Sequence, residues 1–437
     1  MFKTALLLFA SFLYLFLAAP ILATETNINL NLNTSNNSAE GNLGESKIQE
    51  GNISVNIPGE YIVVFKDEVQ NPAEVADQLQ GQHQISIKHK YSKPLKGFSA
   101  NITDQKIEQI RQDSRVKFIS QDKKVFALSH RTTAVQSTPT GIRRINGIQL
   151  NNYGDGIGVA VIDTGIDLDH PDLAGNILAN VNCIRPLRKG DDDNGHGTHV
   201  AGTIAALQNN LGVVGVAPQA KLMAVKVLDS RGSGTWSSVI CGIDWVTQNA
   251  SKFNIKVANM SLGGGGQSDN NCGSSNQDAL HQAICRSASA GITYVAAAGN
   301  SNQDAGLMVP AAYDDALITV SALSDSDGLA GGLGSATTYG ADDTFASFSN
   351  FGSVVDLAAP GVSINSTWVG GRYKSISGTS MASPHVAGTA ALYLKSNPGA
   401  TWTQVRDSLK ALAEILGSGH SDPSNKHPEP VVLINGF

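Results

Sequence analysis

The chain has 437 residues, 41% of them apolar and 16% charged, with a formal net charge of -6. That length exceeds what one hydrophobic core serves and predicts two or more globular domains. Mild acidity without a Lys/Arg block excludes the clustered basic footprint that phosphate binding needs, so no nucleic-acid partner is expected.

The N-terminus reads "MFKTALLLFASFLYLFLAAPILA", in which Lys3 precedes an apolar run that ends in small residues near Ala23. This is the pattern of a secretory signal peptide over residues 1–23. The alternative, an uncleaved membrane anchor, suffers from the break at Pro20 and the shortness of the run. No other segment has the length and apolarity of a span, so a secreted, extracellular monomer without a stable membrane anchor is expected. Residues 24–57 are rich in Asn, Ser and Gly and read as a disordered linker.

From Pro58 the pattern changes. "YIVVF" is a strand, "NPAEVADQLQ" a helix, "LKGFSANI" a strand, "DQKIEQIRQ" a helix and "VKFISQ" a strand. The order predicts a small ferredoxin-like α+β domain over residues 58–128. The polar stretch that follows, residues 129–138, reads as a linker or cleavage region. Over residues 139–437 short apolar runs such as "GVAVIDTG", "AKLMAVKVL", "VANMSLGG" and "ITYVAAAGN" alternate with helical patterns such as "HVAGTIAAL" and "WSSVICGIDWVTQNA". Apolar strands separated by helices predict an α/β, doubly wound, mostly parallel sheet with helices on both faces.

Cys183, Cys241, Cys272 and Cys285 are an even set in an exported chain, which favours disulfides with three possible connectivities. The short loop favours Cys272 with Cys285, leaving Cys183 with Cys241. No CxxC pair offers zinc spacing.

In doubly wound sheets active groups collect beyond the carboxyl ends of the strands. Asp163 in "VAVIDTGID", Ser261 in "ANMSLGG" and Asn300 in "YVAAAGN" follow apolar runs directly, and "GHGTHVAG" and "SGTSMASP" begin helices with His196 and Ser380. A serine hydroxyl attacks an amide only if an imidazole removes its proton, and that imidazole needs a buried carboxylate to hold its tautomer. Ser380, His196 and Asp163 can fill those roles. A serine at a helix start also aims its own N–H at the developing oxyanion. Pro384 is expected within the first turn, where its missing N–H costs nothing.

"DTGID", "HGTHVAGT", "AAAGN" and "GTSMASPHVAG" resemble the aspartate, histidine, asparagine and serine motifs of the subtilisin-like serine proteases, in that family's order. The resemblance spans about Pro139 to the C-terminus, and the preceding α+β unit looks like the family's propeptide, an inhibitor and folding aid. It implies a self-processed zymogen of a serine endopeptidase acting on proteins or peptides. Asp163, His196 and Ser380 become the triad, and Asn300 the oxyanion donor. His199 becomes structural. Ser261, Leu262 and Gly263 would pair with extended substrate, and Ala298 and Gly299 would wall the pocket. These walls are small and apolar and predict room for a large apolar side chain, unless Met308 points inward and makes the pocket shallower. The family's propeptide tail crosses the substrate sites, which places the first cut after Leu128, with Val125 in a second apolar subsite and trimming toward Ala134.

The resemblance implies no catalytic cofactor but a structural calcium ion, held by the side chains of Gln136, Asp172 and Asn209 and the carbonyls of Leu207, Leu211 and Val213. The run Asp191 to Asn194 reads as a solvated face. An α/β-hydrolase esterase is disfavoured because that fold orders its triad Ser, acid, His. A binding protein that kept the fold without catalysis would lack a triad member, and none is missing.

Overall fold

The computed structural model describes residues 56–127, 130–131, 139–147 and 151–436. The expected signal peptide, most of the expected linker, Leu128, Ser129, Ala134 and Gln136 lie outside the described residues. Among the described residues no helix is long and apolar enough to cross a membrane.

The first domain contains strands β1 (Asn56–Phe65), β2 (Ser86–Tyr91), β3 (Gly97–Asn101) and β4 (Val116–Ala127), with helices α1 (Pro72–His83) and α2 (Asp104–Arg111). The strands lie in the order β4-β1-β3-β2, all antiparallel, which is the expected ferredoxin-like order. The alternation of β1 sorts its side chains between two cores. Val63 and Phe65 pack with Leu79 of α1 and with Ile107 and Ile110 of α2. Ile62 and Val64 face the other way and join the core of the larger domain. Strand β2, "SIKHKY", had no counterpart in the sequence reading. It is an edge strand whose exposed and half-buried residues alternate, so it carries no apolar run.

After β5 (His130–Arg131) and α3 (Thr140–Arg144), the larger domain begins with β6 (Gly158–Asp163), β7 (Ile177–Asn182), α4 (His196–Ala205), β8 (Lys221–Lys226), β9 (Ser233–Thr235) and α5 (Trp236–Phe253). It continues with β10 (Ile255–Met260), β11 (Leu262–Gly265), α6 (Ala279–Ser289), β12 (Thr293–Ala297), β13 (Met308–Val309), β14 (Ile318–Ser324), β15 (Thr344–Phe345) and β16 (Leu357–Pro360). Strands β17 (Ile364–Trp368) and β18 (Arg372–Ser377) and helices α7 (Thr379–Ser396) and α8 (Trp402–Leu412) complete the chain.

The central sheet has eight strands in the order β15-β14-β12-β10-β6-β8-β7, with β16 beside β14. All pairs are parallel except β14 with β15. Both faces are covered, as the unbroken apolar strands require. Val159 and Val161 of β6 pack with Val200 and Ile204 of α4 and Met381 and Val386 of α7. Their neighbours Ala160 and Ile162 face Val239 and Ile243 of α5 and Ala283 and Ile284 of α6. The disulfides are Cys183–Cys241 and Cys272–Cys285, the pairing expected.

The small domain sits on α5. Asp122 of β4 accepts the Ser237 N–H at 3.0 Å at the start of that helix, and also the Ser237 hydroxyl. In the opposite sense, Asp244 on α5 accepts the N–H groups of Ser92 (3.2 Å) and Lys93 (3.0 Å). Burial pushes both carboxyls up from the usual range, against these hydrogen bonds.

One buried ion-pair network ties the ends of the larger domain together. Arg144 of α3 is 2% exposed; it donates to Asp343 at 2.7 Å and to both oxygens of Glu414 at 3.1 and 2.7 Å. Arg144→Ala leaves two carboxylates without their counter-charge and should lower the unfolding free energy by roughly 3–5 kcal/mol. Urea denaturation of the variant checks this, and a loss under about 1 kcal/mol would put the network at the value of a surface pair.

Candidate active site

Of the five polar groups singled out at strand ends and helix starts, the fold pairs Asp163 with His196 and sets Ser261 and Asn300 against the start of α7 beside Ser380. Asp163 is the last residue of β6 and fully buried. Its Oδ1 accepts the Thr164 N–H at 2.7 Å and lies 2.8 Å from His196 Nδ1. His196 opens α4, so its imidazole is set by how that helix begins. Three side chains take the N–H groups left open in the first turn. Asn194 accepts from His196 (3.1 Å), Thr164 Oγ1 from Gly197 (2.8 Å) and Asp192 from Thr198 (3.0 Å). Gly197 must be glycine, since a Cβ there would sit 2.1 Å from the Gly165 carbonyl oxygen.

Asp192 plays a part that its run of charged neighbours does not signal. Asp191 and Asp193 are solvent-exposed as expected, but Asp192 is half-buried and caps the helix that carries His196. Asp193 pairs with buried Lys226 at 2.6 Å, and the same ammonium donates to the Thr164 carbonyl at 2.5 Å.

Ser380 is the second residue of α7, and its hydroxyl donates to the Ser261 carbonyl at 3.2 Å. Pro384 corrects an expectation, because it lies inside α7 and beyond its first turn. An interior proline leaves the carbonyl four residues earlier without its helical donor. That carbonyl belongs to Ser380, and the Ser261 hydroxyl donates to it at 2.9 Å. Asn259 at the end of β10 holds the arrangement, donating to Ser261 Oγ at 2.9 Å and accepting from Ser383 Oγ at 2.7 Å. The proline thus fastens the strand before β11 to the helix that carries Ser380.

Asn300 lies across the same cleft. Its Oδ1 accepts the N–H and the hydroxyl of Thr379, both at 2.9 Å. These two bonds fix the amide so that Nδ2 faces away from them, and this buried donor has no hydrogen-bond partner among the described residues. A buried N–H without an acceptor is costly in a folded protein unless something else fills the place.

Strand β11 edges the cleft. Its Leu262 and Gly263 pair antiparallel with Ala127 and Phe126 at the end of β4, while Val125 pairs with Gly234 of β9. Beyond the two linking residues, His130 and Arg131 pair with Ser377 and Ile376 of β18. Ala298 and Gly299 follow β12 directly and are buried. Met308 is buried against Ala297 and Ala311, and its Cγ lies 3.6 Å from where a Cβ on Gly299 would stand, so it lies beside Gly299.

The two other histidines of these motifs are fully buried. His199 Nε2 meets the carbonyls of Ile364 (2.9 Å) and Lys374 (3.1 Å), and His385 Nδ1 meets that of Met381 (2.8 Å). Burial pulls their pKa values down to about 3 and about 4. Neither carries a charge at neutral pH.

The expected metal ligands converge in part. Asp172 is fully buried, and its Oδ2 accepts from Val213 N–H (2.9 Å) and Tyr373 OH (3.1 Å). Its Oδ1 has no hydrogen-bond partner among the described residues, and the Asp172 carbonyl accepts the Leu207 N–H at 2.9 Å. Asn209 Oδ1 accepts from Leu211 N–H at 2.9 Å within the same loop. A buried carboxylate oxygen without a donor, beside a loop of carbonyls, fits a hard cation.

Comparison with known proteins gives two family matches: the subtilase family over residues 154–426 and the peptidase inhibitor I9 family over residues 60–127. The chain is 39% identical over 363 residues to a thermostable alkaline protease of Halalkalibacterium halodurans, covering 82% of this chain and 88% of that protein. It is 38% identical over 372 residues to subtilisin E of Bacillus subtilis, covering 82% and 86%. A crystal structure of a cold adapted subtilisin-like serine proteinase superposes with a TM-score of 0.56 at 38% identity, covering 70% of this chain and 99% of that one.

The buried histidines make stability depend on acid. With pKa values held below the unfolded value of about 6.5, the folded state binds fewer protons than the unfolded chain. Their contribution is complete above that pH and is lost as the pH falls toward 4. The drop in unfolding free energy from pH 7 to pH 5 should be about 2 kcal/mol smaller in His385→Gln than in the parent chain. Equal drops in both would mean that His385 is already protonated when folded.

Proposed function

The chain belongs to the subtilase family, and as a serine endopeptidase made with an inhibitory propeptide domain it carries out its chemistry, we propose, with Ser380, His196, Asp163 and Asn300. Ser380 Oγ turns from the Ser261 carbonyl to His196, gives its proton to Nε2 and attacks the scissile carbonyl carbon. Asp163 holds the Nδ1–H and stabilises the imidazolium. The imidazolium returns the proton to the leaving amine, and water then hydrolyses the acyl-enzyme by the same steps. The oxyanion is received by Asn300 Nδ2 and the Ser380 N–H. The observation that carries this reading is the buried Asn300 amide donor, which is fixed by Thr379 and has no partner among the described residues.

Substrate lies along Ser261, Leu262 and Gly263 as an added antiparallel strand. The side chain before the scissile bond enters between this strand and Ala298–Gly299. Met308 shortens the pocket, so a leucine-sized residue suits it better than a large aromatic ring. The enzyme is secreted and acts as a monomer on proteins and peptides, without a catalytic cofactor. Calcium bound by Asp172, Asn209, Gln136 and the carbonyls of Leu207, Leu211 and Val213 braces the loop after α4.

The zymogen cuts itself first after Leu128. In support, β4 ends on β11 at Ala127 and β5 resumes on β18 at His130, just ahead of Ser380. Leu128 and Ser129 are the residues between those strands. Val125, three residues before the cut, is fully buried, as a second apolar subsite requires. On this reading residues 58–128 are the propeptide, 129–138 a processing linker and 139–437 the peptidase domain.

Two experiments test these assignments. With a peptide substrate, Asn300→Leu should lose about a hundred- to a thousand-fold in kcat with little change in KM, and Ser380→Ala about a million-fold; near-parent turnover by folded Ser380→Ala would sink the triad. For processing, intact-mass analysis of freshly cut protein should find a chain starting at Ser129. Leu128→Asp should slow the cut, and processing indifferent to that change would refute the assignment.

A further inference from the structure

Strand β14 ends at Ser324, and a long glycine-rich loop, "DSDGLAGGLGSATTYGADD", leads from it to β15. Its two ends bring Asp325, Asp327 and Asp342 together, with one carboxylate oxygen from each within 4.8 Å of the others. Like charges at that separation repel unless a cation lies among them. Asp342 already serves the loop backbone, accepting from Ser326 N–H and Gly334 N–H at 2.7 Å each. Asp327 Oδ1 accepts from Leu329 N–H at 2.8 Å.

Asp325 is different. It is 2% exposed; Oδ1 accepts the Gly328 N–H at 2.9 Å, but Oδ2 is buried without a hydrogen-bond partner among the described residues. The nearby cations are engaged elsewhere. Arg144 is spent on Asp343 and Glu414, and Arg143 donates to the Asp327 carbonyl oxygen at 3.0 Å. Positive charge is missing at this spot.

We propose that Asp325, Asp327 and Asp342 form a divalent-cation site, separate from the Asp172 loop, that takes calcium and pins the β14–β15 loop. Three carboxylates and the carbonyls of a flexible glycine-rich turn suit calcium, which accepts six to eight oxygens in irregular geometry, better than magnesium, which demands a tight octahedron. Gly328, at φ +77°, makes the turn between the first two aspartates. The site adjoins Asp343, which also accepts the N–H groups of Gly331 (2.8 Å) and Gly332 (3.0 Å). A bound ion therefore braces the loop and the Arg144 network together. The proposal does not rest on the calcium site at Asp172 or on the catalytic assignments.

The test uses the full chain carrying Ser380→Ala, so that it is neither processed nor digested, together with Asp172→Asn to silence the other loop. Calcium chloride is titrated by calorimetry, and Tm is read with calcium and with chelator. The double variant should still bind about one equivalent of calcium and gain about 5 °C in Tm at a hundredfold excess over Kd. Adding Asp325→Asn should abolish both signals. Asp327→Asn, at a half-buried position, should do the same by weakening the site at least tenfold, and serves if the Asp325 variant fails a near-UV dichroism check. Absence of calcium binding in the Asp172→Asn chain, or binding unchanged by both aspartate variants, would overturn the proposal.

Discussion

The molecule is organised around a carboxylate that has been taken out of water. Asp163 ends a central strand and is fully buried; its Oδ1 takes the Thr164 N–H and the His196 imidazole, while its Oδ2 has no hydrogen-bond partner among the described residues. Burying a charge is costly unless it is paired and hydrogen-bonded, so the two bonds to Oδ1 carry that burden. That requirement fixes where α4 must start, how closely it approaches β6, and why Gly197 cannot carry a side chain. Asn194, Thr164 and Asp192 fasten the start of the helix from outside, so the imidazole is positioned before any substrate arrives. Preorganisation of this kind is what makes an electrostatic site effective.

The opposite side of the cleft is fixed by a second device. Pro384 removes one helical hydrogen bond from α7, and Ser261 supplies the replacement, with Asn259 bridging to Ser383. These bonds tie the end of β10 and the turn into β11 to the helix bearing Ser380. The propeptide domain uses this same edge. Its β4 occupies β11 and β9 as an added strand, while Ile62, Val64, Tyr91 and Leu95 bury themselves among the residues of α5 and α6.

Much of this was legible in the sequence. Asp163, Ser261 and Asn300 stand directly after apolar runs, where the topology of a doubly wound sheet puts functional groups. Continuous apolar strands announced a sheet covered on both faces. Other features left no local signal. The edge strand Ser86–Tyr91 has almost no apolar side to show, because the domain buries only its last residue fully. Asp192 sits in a run of charges and looks like its solvated neighbours; its importance comes from the turn that folds it back on α4. Pro384 was misplaced because its effect depends on Ser261, a residue far away in the chain. The cluster of Asp325 and Asp342 is likewise a product of loop closure rather than spacing.

The central claim is that the cleft is built in advance for an oxyanion between Asn300 and Ser380. A crystal structure of the mature enzyme with a peptidyl aldehyde tests it most directly. The account predicts a bond from Ser380 Oγ to the aldehyde carbon, with the new oxygen about 2.7–3.1 Å from Asn300 Nδ2. An adduct whose oxygen points away from Asn300, or one formed on any other side chain, would contradict it.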